Sequence, residues 1–391
     1  MTTPYRQNAR PHGEAVSRRR SGVWYLVSGS LLGLALLGAW WKVPETLHVE
    51  LRVVKEAMPP HGPLTSAWSN ETGTRVLAVG AHGQVFERTS DLGDSAGRWR
   101  IIGSGVEEDL TAVAGSEDRP HENPWEPPAP VSRVVAVGSR GAVLDCSGAQ
   151  CSRISTSLTK ALRAVAAAGG QAVVVGDGGT ILHVRPNPQH FADKTADALA
   201  IDRVEVDVSN DLGFVAIRCV DEMTRKCLAV AVGAAGTIVE GIGDGRCEDG
   251  SPHSRWTTNC RWVWSRRPSP TSLALVAVQV AESGTTALAV DGSRLIRSSA
   301  GDWRVEAAAY ARATSLATPA PVHVVRRKLW RRHEESTDAL VSLGADPRVR
   351  RGGQELGTCL RVDLPVHIAT ATKGNEFVYL LSDAGELYLA R

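Results

Sequence analysis

One pattern of apolar and polar positions recurs along most of the chain. A run of Val, Ala and Leu leads into a short glycine-bearing turn, and a second apolar, β-branched run follows. The clearest copies are RVLAVGAHGQVFER (Arg75–Arg88), RVVAVGSRGAVLDC (Arg133–Cys146), QAVVVGDGGTILHV (Gln171–Val184) and CLAVAVGAAGTIVE (Cys227–Glu240). Each contains V-G-x-x-G. Each predicts a β-hairpin in which Val and Ala alternate into a buried face and two glycines supply the positive φ of a tight turn. Weaker copies follow at Thr286–Ser298, Ala339–Arg351 and Glu376–Ala390, where the glycine pattern thins to Gly292, Gly344 and Gly385. Aligning Gly80, Gly138, Gly176, Gly233, Gly292, Gly344 and Ser382 gives seven units. Their basic length is about 40 residues, lengthened by insertions.

A further strand-like run precedes most hairpins, at Leu64, Leu110, Leu162, Phe214, Leu273 and Val366. Another follows several of them and carries Trp99, Trp262 or Trp303. Four strands per unit make a propeller blade, so the expected fold is all-β, a seven-bladed β-propeller. The last unit has only three strands before Arg391, and the run LHVELRVV (Leu47–Val54) is placed to supply the fourth. That pairing would hide two open sheet edges. A β-sandwich would not need one hairpin seven times, and a solenoid would hold a steadier repeat length with capping units.

One segment departs from this pattern. Gly22–Trp41 runs 20 residues without a charge, about 30 Å as a helix and enough to cross a hydrocarbon core. Trp24, Tyr25, Trp40 and Trp41 stand at its ends, where amphipathic rings prefer the headgroup level. The preceding tail, residues 1–21, holds Arg6, Arg10, Arg18, Arg19 and Arg20 against Glu14. Positive-inside bias then keeps the tail cytoplasmic and sends residues 42–391 across. A cleaved signal peptide would have a shorter apolar core ending in small residues, where this chain has Trp40-Trp41. The expectation is a one-helix signal anchor, Gly22–Trp41, in a bacterial inner membrane, with a periplasmic or extracellular propeller.

Composition adds limits. A chain of 391 residues with 43% hydrophobic and 22% charged positions is not wholesale disordered. A net charge of +2 argues against a nucleic-acid partner. The seven cysteines include three near pairs, Cys146/Cys151, Cys219/Cys227 and Cys247/Cys260, with Cys359 left over. Near pairs flanking hairpins of an exported domain suit small-loop disulfides. The competing reading, a zinc site, wants CxxC knuckles or close histidines, and none is present.

The L-x-A-V strand, the V-A-V-G-x-x-G-x-I-L hairpin and the Trp-bearing outer strand together resemble the BNR-like, YVTN-type propellers. Within these the chain is most similar to the photosystem II stability/assembly-factor-like proteins. The resemblance spans roughly Leu47 to Arg391 and is strongest in the first four units. It implies a non-enzymatic binding or assembly factor, here a protein-binding scaffold of an envelope complex, without cofactor or metal.

Sialidase-type propellers also carry BNR repeats, so hydrolysis of a glycoside, or polysaccharide binding, is the alternative. A sialidase would need a Tyr nucleophile, a carboxylate and an arginine clamp. Tyr310 or Tyr379 and Glu240 or Glu306 are the available candidates. The Gly176-Asp177-Gly178-Gly179 run invites a phosphate-loop reading, but it lies within a hairpin and opens no helix. His183, in an alternating strand, reads as a structural histidine.

Three insertions are candidate partner-binding elements. Gly115–Ser132 carries five prolines around Trp125, a stiff loop that docks at low entropic cost or merely stays solvated. Gly241–Pro270 holds Trp256, Trp262 and Trp264 and the Cys247/Cys260 pair, which would brace it as a projection. Val324–His333 packs Arg326, Arg327, Lys328, Arg331 and Arg332 around Trp330. It suits either contact with anionic lipid or a charge-protected edge strand.

Overall fold

A computed structural model describes residues 53–70, 73–90, 97–116, 133–187, 199–219, 226–247, 260–281, 284–298, 300–306 and 378–390. Strands at 313–317, 322–328, 331–337, 340–344, 348–351, 354–355 and 366–371 are described by backbone alone, as are 244–247 and 260–261. The chain divides into Met1–Leu47 and His48–Arg391, and every described residue lies in the second unit. The basic tail, the Gly22–Trp41 span, Trp125, Trp256, Tyr310, Trp330 and Cys359 lie outside the described residues. No helix among the described residues is long and apolar enough to cross a membrane.

The described residues form an all-β unit of antiparallel four-stranded sheets, seven in number. Sheet one comprises Leu64–Ser69, Arg75–Gly80, Val85–Thr89 and Arg98–Ile102, and sheet two Leu110–Ser116, Arg133–Gly138, Val143–Asp145 and Ser152–Arg153. Sheet three comprises Leu162–Ala168, Gln171–Gly176, Ile181–Pro186 and Leu199–Val204, and sheet four Leu212–Cys219, Lys226–Gly233, Ile238–Cys247 and Cys260–Arg267. Sheet five comprises Leu275–Ala281, Gly284–Ala289, Arg294–Arg297 and Trp303–Glu306, and sheet six Ala313–Ala317, Leu340–Gly344, Arg348–Arg351 and Gln354–Glu355. Sheet seven takes Val366–Ala371, Val378–Ser382 and Leu387–Ala390 from the C-terminal end and Val53–Lys55 from the N-terminal side. In it Val53 pairs with Ala390 and Lys55 with Tyr388.

A shared register shows that the sheets are copies of one unit. The first residue of the first strand pairs with the last residue of the second: Leu64 with Gly80, Leu110 with Gly138, Leu162 with Gly176 and Leu212 with Gly233. Leu275 with Ala289, Ala313 with Gly344 and Val366 with Ser382 continue the series. A bulge follows that first residue in sheets one to six, and falls two residues later in sheet seven. First strands of consecutive sheets are neighbours from one through seven, and that of seven neighbours that of one.

Among the described side chains the second strands are buried on both faces, which corrects the expectation of a single buried face. Val76 and Ala78 pack toward sheet seven with Tyr379 and Leu381, while Leu77 and Val79 pack toward sheet two with Leu110 and Val134. Similar apolar clusters join sheet two to three, three to four and four to five. A strand covered on both sides reads as a continuous apolar run, not as an alternation. Each fully buried Val or Leu contributes roughly 2 kcal/mol by removal from water.

The glycines also work differently from the expectation. Gly80, Gly138, Gly176 and Gly233 are extended, with φ between −162° and −171°. A Cβ there would lie 2.5, 2.3, 2.3 and 2.0 Å from the carbonyl oxygens of Pro63, Asp109, Ala161 and Asp211. The positive φ belongs to the next-but-one residue, His82, Arg140, Gly178 or Ala235, and to the second glycine. In sheet five Ala289, not Gly292, holds the strand-end place: its N–H donates to Ser293 O as Gly80 N–H donates to Gln84 O. Gly292 sits within the turn at φ 86°.

The antiparallel order gives each sheet two unlike ends. The turns joining second strand to third and the sheet-to-sheet connections lie at one. At the other, the open end, the first strand joins the second and the third joins the fourth. Residues 117–132, 188–198, 220–225 and 248–259 all belong to open-end connections, and Val53 enters there beside Ala390. In sheet six the open-end connection contains a two-stranded ribbon, Val322–Lys328 paired with Arg331–Thr337.

Candidate partner-binding surface

The hydrolase candidates among the described residues lie apart, Tyr379 and Glu240 at two different contacts between sheets and Glu306 in a pair within sheet five. Tyr379, in sheet seven, is fully buried, and its hydroxyl accepts a hydrogen bond of 2.9 Å from Arg88 Nη1 of sheet one. Burial raises its pKa to about 12, against the opposing charge of Arg88. Such a phenol is poorly suited to act as a nucleophile at neutral pH.

Glu240, in sheet four, is also fully buried. It accepts from Arg267 Nε at 2.9 Å, and from Arg297 Nε at 2.7 Å and Trp303 Nε1 at 2.9 Å of sheet five. Burial pushes its carboxyl up. The hydrogen bonds from Arg297 and Trp303 and the two guanidinium charges outweigh that and hold it below the usual carboxylate range. Glu306 pairs with Arg294 at 2.8 Å.

These contacts follow a rule that sequence reading missed. Eight residues beyond the strand-end position, the third strand pairs with the fourth at one recurring register slot. In sheet one the slot holds Arg88 and Trp99, and in sheet five Arg297 and Trp303. Each Arg–Trp pair presents a guanidinium and an indole N–H to a carboxylate from the preceding element. Glu240 serves sheet five. Glu56, just after Val53–Lys55, serves sheet one, accepting from Trp99 Nε1 at 2.8 Å and lying 3.7 Å from Arg88 Nε. In sheet two the same slot holds the Cys146–Cys151 disulfide, in sheet three Val184 and Ile201, and in sheet four Gly241 and Trp264. The spacing was readable in the sequence. The carboxylate partners, from other sheets, were not.

The remaining sequence candidates take the following places. Trp262 lies on the fourth strand of sheet four and not in a free loop, because the strands extend into the expected insertion. It is half-buried and stacks on Trp264, with ring centres 5.5 Å apart. Its Nε1 donates to Gln171 Oε1 of sheet three at 3.1 Å, and that oxygen also lies 2.6 Å from His183 Nε2. Burial lowers the pKa of His183 to about 4, with Asp202 opposing and Arg185 assisting. Gly176–Gly179 is a hairpin turn whose Gly178 N–H already donates to Asp211 Oδ1 at 2.8 Å, so that amide is not open to a phosphate.

Among the described residues two disulfides, Cys146–Cys151 and Cys219–Cys227, are present, both at the open end. Arg75 of sheet one grips the first, donating to the carbonyls of Cys146, Ser147 and Gly148 at 2.9, 3.1 and 2.9 Å. Cys247 and Cys260 are register partners at the same end. Arg326, Arg327 and Arg331 lie on the ribbon of sheet six; their side chains are outside the described residues. Among the described residues no three His, Cys, Asp or Glu side chains gather as a metal site would require.

The open end therefore brings together Trp262, the cystines, the ribbon and the connections that contain Trp125 and Trp256. No known family model matches the chain, and no curated protein matches it.

Proposed function

We propose that the chain is a seven-bladed β-propeller, closed by the Val53–Lys55 strand and anchored to a bacterial inner membrane through Gly22–Trp41, that serves outside the cytoplasm as a protein-binding scaffold or assembly factor. Closure is supported by the neighbouring order of the seven first strands and by the pairing of the two chain ends. The observation that carries the binding role is the asymmetry of the sheet ends. Tight turns are economical wherever nothing else is required, whereas loops carrying function are characteristically long and set on a rigid frame. Here the four longest connections, 117–132, 187–198, 248–259 and 318–339, share one end, and two cystines among the described residues brace it. Tyr379 and Glu240 are held in separate buried clasps and Glu306 is paired with Arg294 within sheet five, which favours binding over glycoside hydrolysis.

The test is affinity capture of the tagged full-length chain from detergent-solubilised membranes. A stoichiometric companion protein that is lost on shortening the 117–132 or 248–259 connection supports the reading. Recovery of the chain alone from membranes, or its absence from the membrane fraction, defeats it.

A further inference from the structure

We infer that the ribbon of sheet six, Val322–Lys328 with Arg331–Thr337, is a docking element for the headgroups of anionic phospholipid. The inference builds on the proposed export and membrane attachment, and it concerns the ribbon alone, not the 117–132 and 248–259 connections of the same open end on which a protein companion would depend.

Its charge is sorted along its length. Register pairs Lys328 with Arg331, Arg327 with Arg332 and Arg326 with His333 at the tip, and Val325 with Glu334 and Val324 with Glu335 nearer the base. Like charges directly opposite one another destabilise a strand pair. A two-stranded ribbon is marginal even without that penalty, and among the described residues this one pairs with no other sheet. Edge protection alone would be met by scattered charges of either sign. Three consecutive cationic or cation-ready pairs at one tip instead call for an opposing anionic surface. The sequence joining the two strands there is Leu329-Trp330, an apolar and an interfacial residue type.

Placement agrees with this occupant. The ribbon connects the first and second strands of sheet six, so it rises from the open end, where Val53 also enters. Seven register pairs extend it by about 20 Å. A leaflet bearing phosphatidylglycerol supplies a continuous negative plane, to which each Lys or Arg within a Debye length adds attraction.

The test reconstitutes the full-length chain in nanodiscs of pure phosphatidylcholine or of phosphatidylcholine with one-third phosphatidylglycerol, and follows tryptic cleavage between Arg326 and Arg332. Cleavage should be about tenfold slower in the anionic discs and recover at high salt. A variant carrying Arg326→Gln, Arg327→Gln, Arg331→Gln and Arg332→Gln, read at Lys328, should lose the protection. Wild-type salt reversal gives the same information should that variant misfold. Equal cleavage rates in both discs overturn the inference, as does protection by short duplex DNA without protection by the anionic discs. Capture of the companion by the four-Gln variant separates this outcome from failure of the scaffold reading.

Discussion

A methyl group added at Gly233 would sit 2.0 Å from the carbonyl oxygen of Asp211, a backbone atom that already accepts Ala234 N–H. Relief requires moving two chains, so Gly233→Ala should cost about 3 kcal/mol in urea unfolding. Gly178→Ala should cost only about 1 kcal/mol. Its φ is 59°, Ala235 already tolerates 52° at the matching place, and the obstructing atom is the end of the Lys160 side chain. Equal losses for the two variants would refute this division of labour. His183 makes a second prediction. Its folded pKa of about 4 lies below the ordinary 6.5, so between those values the unfolded chain binds more protons. Stability should be fully present above pH 6.5 and fall as pH drops toward 4, by up to about 3 kcal/mol. Melting curves of His183→Gln across that window should be flatter than those of the wild type.

At the level of the element, the bulge after the opening residue turns a threonine toward the next sheet in sheets one and two. Thr65 Oγ1 lies 2.7 Å from Leu110 O, and Thr111 Oγ1 lies 2.6 Å from Leu162 O, so the two hydroxyls tie sheet one to two and two to three. Thr65→Val and Thr111→Val keep the shape and remove the donor. Each should cost about 1 kcal/mol, and amide exchange should quicken in the neighbouring first strand. The hairpins themselves were legible because turn, apolar run and return lie within some fourteen residues of sequence. The near cysteine pairs were legible for the same reason. Two-sided burial was not, since an unbroken apolar run does not say how many neighbours cover it. Ala313–Ala317 escaped notice because it is short and parted from its hairpin by the ribbon. The Arg–Trp clasps escaped because their carboxylates come from residues 43 and 63 positions away.

Across the whole unit, the pairing of Val53–Lys55 with Leu387–Ala390 leaves sheet seven with an N-terminal and a C-terminal contribution. Glu56 extends that tie to Arg88 and Trp99 of sheet one. A chain truncated through Glu56 loses a fourth strand and the carboxylate of a buried clasp together. It should elute as higher oligomers in size-exclusion chromatography, because the uncovered Leu387–Ala390 edge is a template for strand addition. A monomeric, equally stable truncation would show that the end-to-end pairing is dispensable.

That pairing also imposes a timetable. Val53 is made 337 residues before its partner Ala390. At ordinary translation rates the earlier strand waits on the order of 20–60 s for its partner. During that interval the other sheets are able to form in order of synthesis, but sheet seven is not. A ribosome stalled before Leu387 would thus release a chain with most of its sheets assembled and its final seam unsewn.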